Sequence, residues 1–369
     1  MTWTEYFNDS IRTAEQLSKK LLLSEQEQQK IETIIRQFPM QIPAYYFSLI
    51  RSDDPKDPIA RMCIPSDDEL DPGGSFDTSG ESSNTPQAGI QHKYRQTALI
   101  LATNTCAMYC RHCFRKRMVG LSEEELNKQV EDAARYVCTH PEVNNVLITG
   151  GDALMLPNQI IRRYLEELCP IKSLDFLRFG SRIPVVLPQR IYMDQELLDL
   201  FSSFSKRKTI FLVTQFNHPH EITAESTAAL TSLQECGIQI RNQTVLLRGV
   251  NDSPETLGLL LRRLTSLGVN PYYVFQCRPV TGVKGRFQVP LLEGVRITDA
   301  AKALQNGIGK SFRYAMSHPR GKIEILGELT AGKMLFRFHQ NKYPEDSAKL
   351  FVSRITPEDT WLDDDLIGF

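Results

Sequence analysis

Between Thr97 and Cys277 the chain predicts an α/β protein organised around a parallel sheet. Six short apolar runs recur there: TALILAT (97–103), NNVLITG (144–150), FLRFGS (176–181), TIFLVTQF (209–216), IRNQTVLL (240–247) and PYYVFQC (271–277). Amphipathic helical stretches separate them, and strands that alternate with helices imply a sheet covered on both faces. The even repetition favours a (β/α) barrel or partial barrel; a doubly wound open sheet is the alternative that periodicity leaves open. In either fold the chemistry belongs at the C-terminal ends of the strands.

Residues 1–50 read as an N-terminal helical region. Apolar positions recur there three and four apart, and Ser24 with Glu27 matches a capping box ahead of a helix ending near Gln37. Residues 51–91, which include DDELDPGGSFDTSGESSNTPQAG, read as a polar arm or linker, because Asp, Ser, Gly and Pro at this density leave little apolar surface to bury. Residues 92–308 form the alternating core. In the C-terminal extension, 309–369, KIEILGEL and KMLFRFH read as two strands at hairpin spacing, available to pack on the barrel or to join a subunit contact.

Composition fits an ordinary globular protein: of 369 residues, 41% are hydrophobic and 24% charged, which excludes disordered and fibrous classes. Forty-three Lys and Arg against 44 Asp and Glu leave a formal charge of −1, so no bulk field draws the chain to nucleic acid or anionic lipid. The opening MTWTEYFNDSIRTAEQLSKK has early acids and no unbroken apolar stretch, unlike a signal or transit peptide. No run approaches the roughly 20 apolar residues of a membrane span. A cytoplasmic protein is expected, with neither nucleic-acid nor membrane partners.

Five of the eight cysteines are scattered, as small buried residues are in a reducing compartment. Cys106, Cys110 and Cys113 instead follow the first strand as CxxxCxxC. Zinc sites usually take four ligands as two close pairs, and the chain has no second pair. Three thiolates on one short loop suit a [4Fe–4S] cubane that keeps one iron for an external ligand.

With HKY (92–94), CAMYCRHCFRKR (106–117), LITGGDALML (147–156), GSRIPVVLPQRI (180–191), FNHPHEIT (216–223) and NQTVLLRGVND (242–252), residues 92–318 resemble the lysine 2,3-aminomutase family of the radical S-adenosylmethionine (SAM) superfamily, which includes glutamate 2,3-aminomutases. The resemblance implies a (β/α)6 partial TIM barrel with an N-terminal helical extension and a C-terminal α+β extension. It implies that Cys106, Cys110 and Cys113 hold the cluster, and that SAM, bound on the open iron, is cleaved to a 5′-deoxyadenosyl radical. Gly150, Gly151, Asp152, Ser181, Asn242 and Gln243 match SAM-contacting positions at strand ends, and Gln215 stands where lysine-type members carry histidine. Glycine there suits close approach of a ligand to the main chain. Arg115 matches the guanidinium that forks onto the substrate carboxylate.

Two features depart from lysine-specific members. Their two aspartates for the distal ammonium correspond here to Arg278 and Ser317, and an arginine facing an ammonium is a like-charge contact costing several kcal/mol. A glutamate-like substrate follows. The glycine-rich run before the pyridoxal phosphate (PLP) lysine is replaced by Ser317-His318-Pro319-Arg320-Gly321-Lys322. Lys322 is the best match for the PLP-anchoring lysine, with Arg320 and Lys93 as phosphate-binding candidates, while Thr97 stands where a second arginine is usual. The implied partners are an amino-acid substrate and a reducing electron donor, with homo-oligomer formation open. The alternatives are a PLP-independent radical SAM epimerase, lyase or rearrangement enzyme, a lysine 2,3-aminomutase acting on elongation factor P, and a non-catalytic iron–sulfur scaffold.

Overall fold

A computed structural model of the chain describes residues 2–21, 23–51, 54, 56–121, 123–363 and 366. Among them, eleven strands form one sheet whose spatial order follows the chain. They are β1 (Ile90–Tyr94), β2 (Thr97–Thr103), β3 (Asn145–Gly150), β4 (Phe176–Gly180), β5 (Thr209–Thr214), β6 (Gln239–Leu246), β7 (Asn270–Gln276), β8 (Arg313–His318), β9 (Gly321–Thr330), β10 (Lys333–Asn341) and β11 (Leu350–Arg354).

Neighbours from β2 to β8 pair in parallel, and β1 and β9–β11 add antiparallel strands at the two edges. A helix follows each of β2 to β7: Val130–Cys138, Asn158–Leu168, Gln195–Ser205, Ala224–Glu235, Pro254–Ser266 and Leu291–Ala303. A doubly wound sheet reverses its strand order at a switch point. Here the order never reverses, so right-handed crossovers lay every helix on one face and leave the other face enclosing an interior. This is the (β/α)6 partial barrel. Its six core strands coincide with the six apolar runs; the apolar pattern does not show β8, a further parallel strand, or the antiparallel edge strands β1 and β11.

The helices behave as their patterns require. In Pro254–Ser266, Leu257, Leu260, Leu261 and Leu264 are buried on one stripe, and Ser253 caps the start by accepting from Thr256 N at 3.2 Å. The Ser24–Glu27 capping box is present, starting the helix Glu25–Gln37. No helix among the described residues is long and apolar enough to cross a membrane.

The segment 51–91 departs from the expectation of an unpacked arm. Asp57 caps a helix, Pro58–Cys63, that buries Ile59, Met62 and Cys63, and Glu69 and Glu81 are themselves buried. Asp77 then accepts from the amides of Glu81 (2.6 Å) and Ser82 (3.0 Å). Apart from this one short apolar helix, buried carboxylates and hydrogen bonds hold the segment, which is why its composition concealed its packing.

Candidate active site

A cavity of about 350 Å3 is lined by the C-terminal ends of β3, β4 and β5 and by inward side chains from β2 to β7. Cys106, Cys110 and Cys113 line it, as do Gly150, Gly151, Asp152, Ser181, Gln215, Gln243, Arg115, Arg278, Ser317, Lys322 and Lys93. Asn242 and Arg320 do not.

The cysteine loop takes its shape from chain that precedes it. Gln41 Nε2 donates to the carbonyls of Cys106 (2.7 Å) and Ala107 (3.1 Å), while Tyr109 N donates to Gln41 O (3.0 Å) and Arg111 N to Met62 O (2.9 Å). Between the cysteines, the Arg111 guanidinium forks onto buried Glu69 at 2.9 and 3.1 Å through Nε and donates to Pro39 O at 2.8 Å. Lys116 Nζ reaches the same carboxylate. These cations hold the Glu69 carboxyl below its ordinary range against the opposing effect of burial, which is the largest single influence on it. Removing one partner of a buried pair leaves the others uncompensated, so Glu69→Ala is expected to lose about 3–5 kcal/mol of stability. Urea unfolding of the apoprotein measures this; a variant within about 0.5 kcal/mol of wild type, the usual range for surface changes, would contradict it.

Gly150 and Gly151 serve the same loop. Gly150 has φ +121°, and a Cβ there would stand 2.2 Å from Thr103 O; a Cβ on Gly151 would stand 2.4 Å from Thr105 O. Asp152 N donates to Thr105 O at 2.9 Å. In this structure the close approach that demands glycine is that of the strand leading into the cysteine loop. The Asp152 carboxylate accepts from Leu154 N (3.0 Å) and Arg182 N (2.6 Å), and burial raises it to about 6 despite these bonds.

The three thiols are half-buried and open onto the cavity. Burial pushes Cys113 up to about 11 and Cys106 well above an ordinary thiol, and each is raised further by neighbouring cysteines. Among the described residues, no three His, Cys, Asp or Glu side chains converge as a single metal ion requires. A cubane places its ligands on separate irons, and an all-sulfur set of three suits it chemically. Arg182, which the sequence reading passed over although it lies within GSRIP, donates from Nη1 to Cys110 Sγ at 2.8 Å and from Nε to Gln215 O at 3.0 Å. It is fixed by an ion pair to buried Glu221.

Gln215 stands just beyond β5, with its amide 3.2 Å from His112 Nε2. Ser181 Oγ accepts from Ile183 N at 3.0 Å. Asn242 and Gln243 lie inside β6 rather than at a strand end. The Asn242 amide is engaged between strands, accepting from Phe216 N (2.7 Å) and donating to Phe216 O (3.1 Å).

Arg115 is buried; its Nη1 makes long contacts to Thr149 Oγ1 (3.4 Å) and Gly150 O (3.3 Å), and its Nε finds no hydrogen-bond acceptor. Glu81 Oε1 stands 3.7 Å from that Nε. Glu81 also pairs with Arg117 at 2.6 Å, and Arg278 adds to the positive field around it. Arg278 lies 4.0 Å over the Phe114 ring and donates to Ser79 Oγ at 3.0 Å. Glu81 and Ser79 belong to the polar segment and carried no sequence signal.

Lys322 is on β9, opposite Ser317 of β8 in the hairpin register. Its Nζ lies 4.3 Å from the centre of the Tyr273 ring and 5.6 Å from that of Phe275. Burial, then the charges of Arg178, Lys93, Arg278 and Arg313, lower its amine to about 7. Lys93 is lowered likewise to about 7, chiefly by burial, and donates to the carbonyls of Ser79 (3.1 Å) and His318. Arg320 instead forks onto Asp346 at 2.8 and 3.1 Å.

No family profile matches the chain. A protein of Aquifex aeolicus with a provisional assignment as an L-lysine 2,3-aminomutase is 41% identical over 344 residues, 93% of this chain and 91% of the relative. The L-lysine 2,3-aminomutase of Clostridium subterminale is 35% identical over 83% of this chain and 73% of its own length. The glutamate 2,3-aminomutase of Clostridioides difficile is 34% identical over 86% and 75%.

Proposed function

Because the chain belongs to the lysine 2,3-aminomutase family of radical SAM enzymes, we propose that it is a 2,3-aminomutase for an acidic amino acid, glutamate first among them. It works with a [4Fe–4S] cluster on Cys106, Cys110 and Cys113, SAM, and PLP anchored on Lys322. The observation that carries this reading is that three thiols and an amine lowered to about 7 line one cavity. A buried lysine that is half unprotonated near neutrality is suited to carbonyl chemistry and unneeded for packing. When bound, the cluster and SAM supply a 5′-deoxyadenosyl radical for hydrogen abstraction, and PLP supplies a carrier for the migrating nitrogen.

The chain's own residues bind and orient. Arg115 offers an unsatisfied guanidinium edge to the substrate α-carboxylate. Arg278, held over the Phe114 ring, faces the distal group. Arg115 and Arg278 flank the carboxylate of Glu81, while Arg117 is shared with Glu125 at 2.8 Å and does not line the cavity. Across the whole lining, Lys and Arg side chains outnumber the two carboxylates, Glu81 and Asp152, so the cavity carries a surplus of positive charge. Glu81 is already engaged and is a poor acceptor for a lysine ammonium. This supports an acidic substrate over a basic one.

The test is turnover by the purified, anaerobically reconstituted enzyme, with 2- and 3-amino isomers resolved by NMR. Glutamate is expected to be isomerised, with lysine at least about 100-fold slower, as the several kcal/mol of a like-charge contact imply. Turnover of lysine but not glutamate would overturn the substrate assignment.

A further inference from the structure

Arg178 belongs to β4, between Leu177 and Phe179, whose side chains are fully buried. Strand alternation therefore turns Arg178 to the opposite face, where it lines the same cavity as Lys322. Its Nη2 donates to the neutral amide oxygen of Asn145 at 2.5 Å, and its Nε has no acceptor. Among the described residues no carboxylate pairs with it; the neighbours that favour its charge are only the hydroxyls of Tyr272 and Tyr273. A guanidinium surrounded by protein without an anion is costly, and such a group is retained where a ligand brings the anion.

Its neighbours specify that anion. Arg178 heads the positive charges that act on Lys322. PLP carries its phosphate on the same ring as the aldehyde, so the phosphate must fall close to the anchoring amine. The other cations near Lys322 are otherwise placed. Arg278 sits with Glu81 and Ser79, Arg313 lies toward Glu324 on a partly exposed surface, and Lys93 donates to two carbonyls. Arg320, the arginine nearest Lys322 in sequence, is forked on Asp346 and does not line the cavity.

We propose that Arg178 is the phosphate-gripping residue of the PLP site. The planar guanidinium donates to two phosphate oxygens, and the Asn145 amide oxygen holds its Nη2 in place. This rests on the PLP reading above, and the experiment separates the two.

Cluster-reconstituted wild-type, R178Q and R178K proteins are titrated with PLP and with pyridoxal, which has the aldehyde but no phosphate. Wild type is expected to bind PLP more tightly than pyridoxal. R178Q should lose roughly 10- to 100-fold of PLP affinity, as expected for a charged hydrogen-bond pair, with pyridoxal affinity unchanged. R178K should fall between them. Equal weakening of both aldehydes, or unchanged PLP affinity in R178Q, overturns the assignment while leaving PLP itself in place. A wild-type protein that binds neither compound overturns the PLP reading and this assignment together.

Discussion

Cys110→Ala, prepared and reconstituted anaerobically like wild type, is expected to hold little iron and to cleave no SAM above background. Two ligands remain, but a cubane needs each of its three protein thiolates, and no other cysteine lines this cavity to replace the one removed except buried Cys277. Loss of an outer hydrogen-bond partner alone costs a metal site about 10- to 100-fold, so loss of a ligand should exceed that range. The variant should nevertheless fold. The loop is fixed through main-chain bonds to Gln41 and Met62 and through Arg111 on Glu69, none of which uses a thiol. Iron analysis and the EPR signal of the reduced protein report the cluster, and the thermal midpoint of the apoprotein reports the fold. Full iron and undiminished SAM cleavage in the variant would remove Cys110 from the ligand set.

The second large effect is expected at Lys322. Borohydride reduction of wild type incubated with PLP should leave a pyridoxyl adduct on Lys322, and Lys322→Ala should give none. Amino-group migration should vanish in the variant while SAM cleavage persists, because the cysteine loop follows β2 and takes its supports from Gln41, Met62 and Glu69, whereas Lys322 is on β9. The pH dependence separates this lysine from a surface one. The neutral amine is the nucleophile, so the rate of adduct formation should rise as pH passes through about 7, the lowered value of Lys322, and then level off. An ordinary lysine would keep gaining reactivity toward about pH 10.4. Adducts spread over several lysines, or a rate still climbing at pH 9, would remove the special status of Lys322.

Much of the architecture was legible because it is local. Apolar runs of strand length showed β2 to β7, and Ser24 with Glu27 announced a helix start. The cysteine loop was equally plain, since its spacing is itself the signal. What stayed hidden was non-local. Glu69 lies 42 residues from Arg111 and Glu81 lies 36 from Arg117, so composition made polar linker of what is a set of buried ion-pair anchors. Arg320 looked free beside Lys322 until Asp346 arrived from 26 residues on. Arg178, inside an apolar run, carries no signal of its own; only the barrel shows that its face of β4 is the interior. β8 was missed because RYAMSH has too weak an alternation to stand out without the hairpin that follows it.

The dependence of the cysteine loop on Gln41, Met62 and Glu69 also bears on biosynthesis. Chains emerge N-terminus first, and the segments that hold the loop leave the ribosome before the loop itself. The loop is thus born against partners already present, whereas β8 and β9, with Lys322, come roughly two hundred residues later. Maturation has a built-in direction: the iron-binding end acquires its supports early, and the amine end exists only once the last strands have closed on the sheet.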